Sequence, residues 1–207
     1  MIARLLLLTL LGVAVAGCEP PPASVPPFEG RTIRDRETFK PGTAPYRTGE
    51  LILAERTSIP IELVRIEDAE RELVTFECVA HGETVDQEVY QDRVASFSLV
   101  SKTGESFDPP LPLIVYPVRV GETKPFEWKG KVLEGEVPSN AHAVVTVLDE
   151  PSNLPAPFSE TIRVNVELSL HGAGDPTKRE LAFWFVEGRG LVKRSFGALD
   201  TRQPSQP

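Results

Sequence analysis

Two cysteines, three histidines and a few runs of carboxylates are the side chains here whose chemistry goes beyond folding. Metal ligation needs His or Cys in close pairs. His81, His142 and His171 stand far apart, and His81 and His171 each precede a glycine at a turn. No metal and no cofactor is expected. Glu67, Asp68, Glu70 and Glu72 supply paired carboxylates of the kind acid–base catalysis uses, but they crowd one charged connection and read as solvated. Asp149, Glu150 and Asn153 offer loop oxygens without the spacing of a calcium loop. Lys102-Thr103-Gly104 has no Ser-x-x-Lys nucleophile to accompany it and reads as a hairpin turn. There is no nucleophile elbow, phosphate loop or dinucleotide fingerprint. The residue types for catalysis are present, their spacing is not, and no enzyme is expected.

Cys18 is the exception, because its surroundings are ordered. A basic start (Arg4) precedes the apolar run Leu5 to Ala16, then Gly17 and the cysteine. The run is too short for a bilayer core of ~30 Å, which takes ~20 helical residues, and reads as the apolar part of a signal peptide. Val15-Ala16-Gly17-Cys18 resembles the lipobox of bacterial lipoproteins. The resemblance implies that the Cys18 thiol takes a diacylglycerol, that residues 1–17 are removed and that Cys18 becomes the N-terminus. With two or three acyl chains, each methylene contributing ~0.8 kcal/mol, attachment would be lasting. The expected location is the cell envelope, lipid-anchored. Glu19, standing where aspartate would favour inner-membrane retention, points to the outer membrane if the source is Gram-negative, facing periplasm or surface.

The chain of 207 residues carries a formal net charge of −8, and loss of Arg4 with the leader makes the remainder more acidic. A nucleic-acid partner wants a basic footprint, so none is expected. Beyond lipidated Cys18 only Cys78 is left, so no intramolecular disulfide can form. Cys78 falls in phase with Val74 and Phe76 and reads as a buried core thiol.

Those residues are carried by strands. Residues 18–49 are rich in proline and poor in apolar periodicity, and read as an extended linker. Residues 50–199 read as one antiparallel β domain, with strand patterning from about Leu51, and residues 200–207 read as a loose tail. Ile59 to Ile66 and Val74 to Cys78 alternate. His81-Gly82 turns into Val85 to Tyr90, and Asp92-Arg93 into Val94 to Val100. Asp108-Pro109-Pro110 reads as a break before a strand Leu111 to Val120. The cleanest alternation sets Ile162, Val164, Val166, Leu168 and Leu170 against polar neighbours, a period of two with one row in the core. His171 to Pro176 and Glu187 to Gly190 are turns around strands Leu181 to Val186 and Leu191 to Phe196. No helical periodicity follows the leader, so the fold class is all-β, an antiparallel sandwich or a strongly curved half-barrel. Acidic residues crowd Glu62 to Arg93 and basic ones Lys178 to Arg194. They are complementary if those strands meet and form two charged faces if they do not.

Two stretches resemble secreted bacterial β-domains of unassigned function. One is Pro117-Val118-Arg119-Val120-Gly121-Glu122-Thr123 followed by Phe126, Trp128 and Gly130. The other is the hairpin Trp184-Phe185-Val186-Glu187-Gly188-Arg189-Gly190-Leu191-Val192-Lys193. Between them Pro155-Ala156-Pro157-Phe158 departs from that family's Pro-Ala-Gly-x-Phe. The motif residues have folding roles, so the resemblance implies β architecture and no catalytic residue.

Strand Leu181 to Val186 is apolar on both faces, with Phe183 and Phe185 on one and Trp184 on the other. It must be covered on both sides or line a concavity. Either a second layer packs over Trp184, or Trp184, Phe183 and Phe185 mark an apolar groove. The function expected is a membrane-anchored envelope lipoprotein whose β domain binds or scaffolds without catalysis. The alternatives are a carrier or sensor of an apolar ligand in a curved-sheet groove and, last, an unrecognised hydrolase. The partners expected are the membrane, through the anchor, and an envelope protein or an apolar ligand.

Overall fold

A computed structural model describes residues 30–40, 48–52, 58–121, 125–149, 161–172 and 176–198. Thirteen strands are assigned among them. In chain order they are β1 (Thr32–Ile33), β2 (Thr48–Ile52), β3 (Ser58–Asp68), β4 (Leu73–Ala80), β5 (Glu83–Arg93), β6 (Ser96–Lys102) and β7 (Glu105–Val115). Then come β8 (Val118–Arg119), β9 (Phe126–Glu134), β10 (Val137–Asp149), β11 (Thr161–His171), β12 (Thr177–Val186) and β13 (Gly190–Ala198). Eleven of them form one sheet whose spatial order follows the chain from β2 to β13, interrupted only where β8 leaves to pair with β1. Every pairing is antiparallel. The sheet is an up-and-down meander that curls over its own concave face. Of the two architectures expected from sequence, the half-barrel is the one adopted.

Period-two patterning drives the curl. Ile162, Val164, Val166, Leu168 and Leu170 of β11 are all buried, as expected. The register sets them beside Ala141, Ala143, Val145 and Val147 of β10 on one side and Leu181, Phe183 and Phe185 of β12 on the other. This apolar face closes on the N-terminal strands through aromatic contacts. Phe183 meets Tyr90 edge-on with centroids 6.5 Å apart, and Phe185 meets Phe97 at 5.6 Å. Burying a side chain of this size contributes roughly 1.5–3 kcal/mol, so these rings are a main force holding the two halves together.

The Phe126-x-Trp128-x-Gly130 motif has a packing reason. Trp128 is buried on the concave face beside Ala143 and against Phe107. Its indole folds over Gly130, where an added Cβ would come within 2.5 Å of the ring. Small residues at 130, 141 and 143 leave room for one large one. In the β12–β13 hairpin, Gly188 and Gly190 take φ of 68° and 75°, values that favour glycine. His81 and Gly82, both at positive φ, make the two-residue turn between β4 and β5.

The structure corrects several expectations. Residues 30–40, assigned by sequence to the linker, are docked on the β body. β1 pairs with β8, Asp35 caps a 3-10 turn (Arg36–Phe39), and Ile33 and Phe39 are buried in the main core. The prolines that suggested a linker stop at Pro27 and resume at Pro41, and the stretch between them carries apolar anchors. The turn expected at Asp92-Arg93 falls at Val94-Ala95 instead. β5 runs on because Asp92 N–H donates to the Glu72 carbonyl, and Asp92 and Arg93 pair with Phe97 and Ser96. Pro109 and Pro110 do not break β7. Neither β6 nor β9 pairs with residues 109 and 110, so no missing N–H is felt there. The strand expected from Leu111 to Val120 is divided at Tyr116-Pro117, with β8 beyond the break.

Candidate functional site

Cys18 and the Pro-rich stretch that follows it lie outside the described residues. The other three residues singled out by sequence are placed on opposite faces of β12. Phe183 and Phe185 are fully buried on the concave side, where Phe185 also packs on Phe39 with centroids 5.4 Å apart. Trp184 points to the convex side and is partly exposed. The three do not line one groove. Among the described residues no second sheet covers Trp184. Its ring is flanked by the cross-strand neighbours Arg163, 5.3 Å from the centroid, and Lys193, at 4.4 Å. Among the described residues, cation–π contact with the charged ends of these two side chains covers the outer ring in place of a second layer.

Next to Trp184 lies a depression of about 160 Å³ on the convex face of β11, β12 and β13. The register arranges its lining in three rows across the strands. Arg163 and Trp184 make the first, Asn165, Ala182 and Ser195 the second, and Glu167, Glu180 and Gly197 the third. The middle row is short, and that is why a depression exists. One wall is cationic and the other anionic. Asn165 Oδ1 is buried without a hydrogen-bond donor.

A second cluster of reactive side chains sits inside the curl, and sequence reasoning did not find it. Arg194 is on the concave face of β13, and its Nε lies 2.6 Å from the Glu88 carboxylate on β5. Tyr90 O–H donates to Glu88 Oε2 at 2.7 Å, and Arg194 Nη2 stands 3.5 Å from the Cys78 thiol. The Arg194 guanidinium also lies 5.2 Å from the Phe76 ring centroid. Burial pushes the Glu88 pKa up, and Arg194 and the Tyr90 hydroxyl pull it back only in part. Burial likewise raises the Cys78 thiol against the pull of Arg194. Tyr90 is held well above the usual phenol value by its complete burial, with the Glu88 charge adding to it. These groups reach each other rather than solvent, and what they do is fasten β13 to β4 and β5. The one signal in the sequence was phase, since Glu88 alternates with the same-face Tyr90 and Arg194 with Phe196.

A second ionic clasp joins non-adjacent strands, with Arg179 of β12 hydrogen-bonded to Glu105 of β7 and Glu134 of β9. The basic residues of β12 and β13 therefore meet acidic ones across the curl at two places. Of the remaining candidates, Glu67, Asp68 and Glu72 pair with Arg65, Arg71 and Arg93 at the outer edge of β3, β4 and β5. Thr103 and Gly104 form the β6–β7 turn, where Thr103 Oγ1 accepts from Gln87 N–H at 2.8 Å. His142 faces Glu127 at 3.5 Å on the convex side. Among the described residues no group of three or more His, Cys, Asp or Glu converges on a point where a metal ion could sit. No family model, no curated protein and no solved structure matches the chain.

Proposed function

We propose that the chain is a membrane-anchored envelope lipoprotein. In this reading Cys18 carries the acyl chains, the Pro-rich segment spaces the body from the membrane, and the β body is a non-catalytic binding or scaffolding module. The anchor rests on the lipobox pattern Val15-Ala16-Gly17-Cys18 behind its short apolar leader. The observation that favours a scaffold over a carrier is the filled concave face. Tyr90, Leu99, Leu111, Phe183 and Phe185 are essentially without solvent exposure, and stacked and edge-on rings occupy the place a carried lipid would need. An apolar carrier requires a cavity of several hundred cubic ångströms lined by such side chains, not filled by them.

The test is mass spectrometry of the protein purified from membranes. The expected species starts at Cys18, bears the diacylglycerol mass and carries no further lipid. Cys18→Ser should accumulate as uncleaved precursor without that mass. A mature N-terminus elsewhere would remove the anchor from the reading, and a stoichiometric second lipid held by the β body would replace the scaffold with the carrier.

A further inference from the structure

Granted that the β body is a binding module of the cell envelope, we infer that the convex face of β9 to β12 binds an anionic glycan, a polysaccharide bearing phosphate, sulfate or carboxylate groups. Strand phase and register assemble this face. Trp128, Ala141, Ala143, Leu168 and Leu170 are buried on the concave side, so the residues alternating with them turn outward. They fall in two adjacent rows. Lys129, His142, Ser169 and Lys178 stand side by side across the four strands, and Lys131, Asn140 and His171 across the first three. Three lysines and two imidazoles thus share one patch of a chain that has 30 acidic against 22 basic residues. With carboxylates in such excess, most of the other described lysines and arginines are ion-paired. Acidic residues border the patch as well. Asp108 stands opposite Lys131, Glu127 lies 3.5 Å from His142, and Glu167 and Glu180 occupy the next row. Yet among the described residues Lys129, Lys131 and Lys178 have no ion-pair partner, and each is exposed.

The layout selects among polyanions. Lys129 and Lys178 are three strand spacings apart, about 14 Å at ~4.8 Å each. That is wider than one small anion and suits a polymer whose charged groups recur. Asn140 and Ser169, set between the cations, offer hydrogen bonds to sugar hydroxyls. Neither row holds an aromatic side chain to stack a nucleic-acid base, or an aliphatic one to enter a bilayer. Position argues against lipid too. The first described residues dock at the other end of β10, where Val120 N–H donates to the Arg31 carbonyl and Gly121 N–H to that of Val147. Asn140 is seven residues back along the strand, about 24 Å at ~3.4 Å per residue. On the anchored reading, the cationic rows therefore lie at the opposite end of the sheet from the tether.

The measurement is the fluorescence anisotropy of labelled heparin, a sulfated glycan, titrated with the full-length chain at low ionic strength. Binding should saturate, weaken as salt is added, and resist competition by neutral dextran. Lys129→Gln, Lys131→Gln and Lys178→Gln together should weaken it by about tenfold or more, as loss of several exposed charge contacts does. Arg34→Gln, Lys40→Gln and Lys193→Gln change the net charge equally on other parts of the surface, and together they should weaken it by less than about twofold. All of these side chains are exposed, and an unaltered thermal unfolding curve verifies that each variant folds. Phosphatidylglycerol vesicles added as competitor should leave the heparin bound. Absence of saturable binding, equal losses in the two triple variants, or displacement by the vesicles overturns the assignment. Each of these results leaves the anchored scaffold reading standing, since that falls on a mature N-terminus elsewhere or on a second lipid in the purified protein.

Discussion

Glu88 and Arg194 show what one pair of residues does when a sheet is curled. Arg194 sits on an edge strand and points inward, a placement that discourages edge-to-edge pairing with other chains. Its charge is then compensated by Glu88, which burial has left only 2% exposed. Breaking a buried pair leaves the remaining charge stranded, so Arg194→Met should cost roughly 3–5 kcal/mol, and adding Glu88→Leu should restore much of the loss. Urea denaturation of the single and double variants checks this; equal losses in both would mean the pair is not the cause. The pH dependence follows from the raised Glu88 pKa. The folded state holds the proton more tightly than the unfolded chain, so Glu88's contribution is fully present below its ordinary 4.5 and declines as pH rises through the folded value. Stability of the native protein relative to Glu88→Gln should therefore fall as pH is raised from 4.5 through that range. A difference that is flat or rises with pH would contradict the assignment.

At the scale of elements, the segment 30–40 turns a meander into a closed body. It is held at three places on the body. Val120 N–H donates to the Arg31 carbonyl at β8, Gly188 N–H to the Thr38 carbonyl at the β12–β13 turn, and Arg36 to the Asp92 carbonyl at the end of β5. Phe39 is the wedge among these contacts, buried against Phe185. Truncating a buried phenylalanine costs about 3–5 kcal/mol. Phe39→Ala should show that loss in chemical denaturation, with the Gly188 amide exchanging faster than in the native protein. A loss under about 1 kcal/mol would mean that the segment rests on the surface without sharing the core. By this geometry the spacer, on the proposed anchored reading, ends before residue 30 and not at residue 49.

For the whole molecule, the curl couples two halves that are far apart in sequence. Arg194 with Glu88, Phe183 with Tyr90, and Arg179 with Glu105 and Glu134 each tie the C-terminal strands to earlier ones. Cys78, buried beneath Arg194 on the N-terminal half, then becomes a reporter of the C-terminal half. A thiol reagent should label it slowly in native protein. In rising urea its labelling should follow the same transition as the emission of Trp128 and Trp184, as for a two-state unit. Labelling that runs ahead of the tryptophan signal would mean the N-terminal strands open by themselves.

The period-two rows were legible in the chain because strand pleat is a local property. Ile162 to Leu170 alternate whatever they pack against, and Cys78 could be phased with Val74 and Phe76 in the same way. Turn glycines at 82, 104 and 188 were legible for a similar reason, since a positive φ is a demand on one residue. The all-β class follows from these two signals together. What the rows would face was not legible, because the curl brings residues together across a hundred positions, and no local pattern encodes the partner. Arg194 reads either as a partner of the acidic strands or as part of a charged face until β5 supplies Glu88. Trp184 reads as core or groove until the register places Arg163 and Lys193 on either side of it. Ile33 and Phe39 read as spacer because two isolated apolar residues carry no period, and only the finished body offers them a surface. Local geometry set which side of each strand is apolar; the choice between sandwich and half-barrel, and the identity of each buried charge's partner, belonged to long-range closure of the sheet.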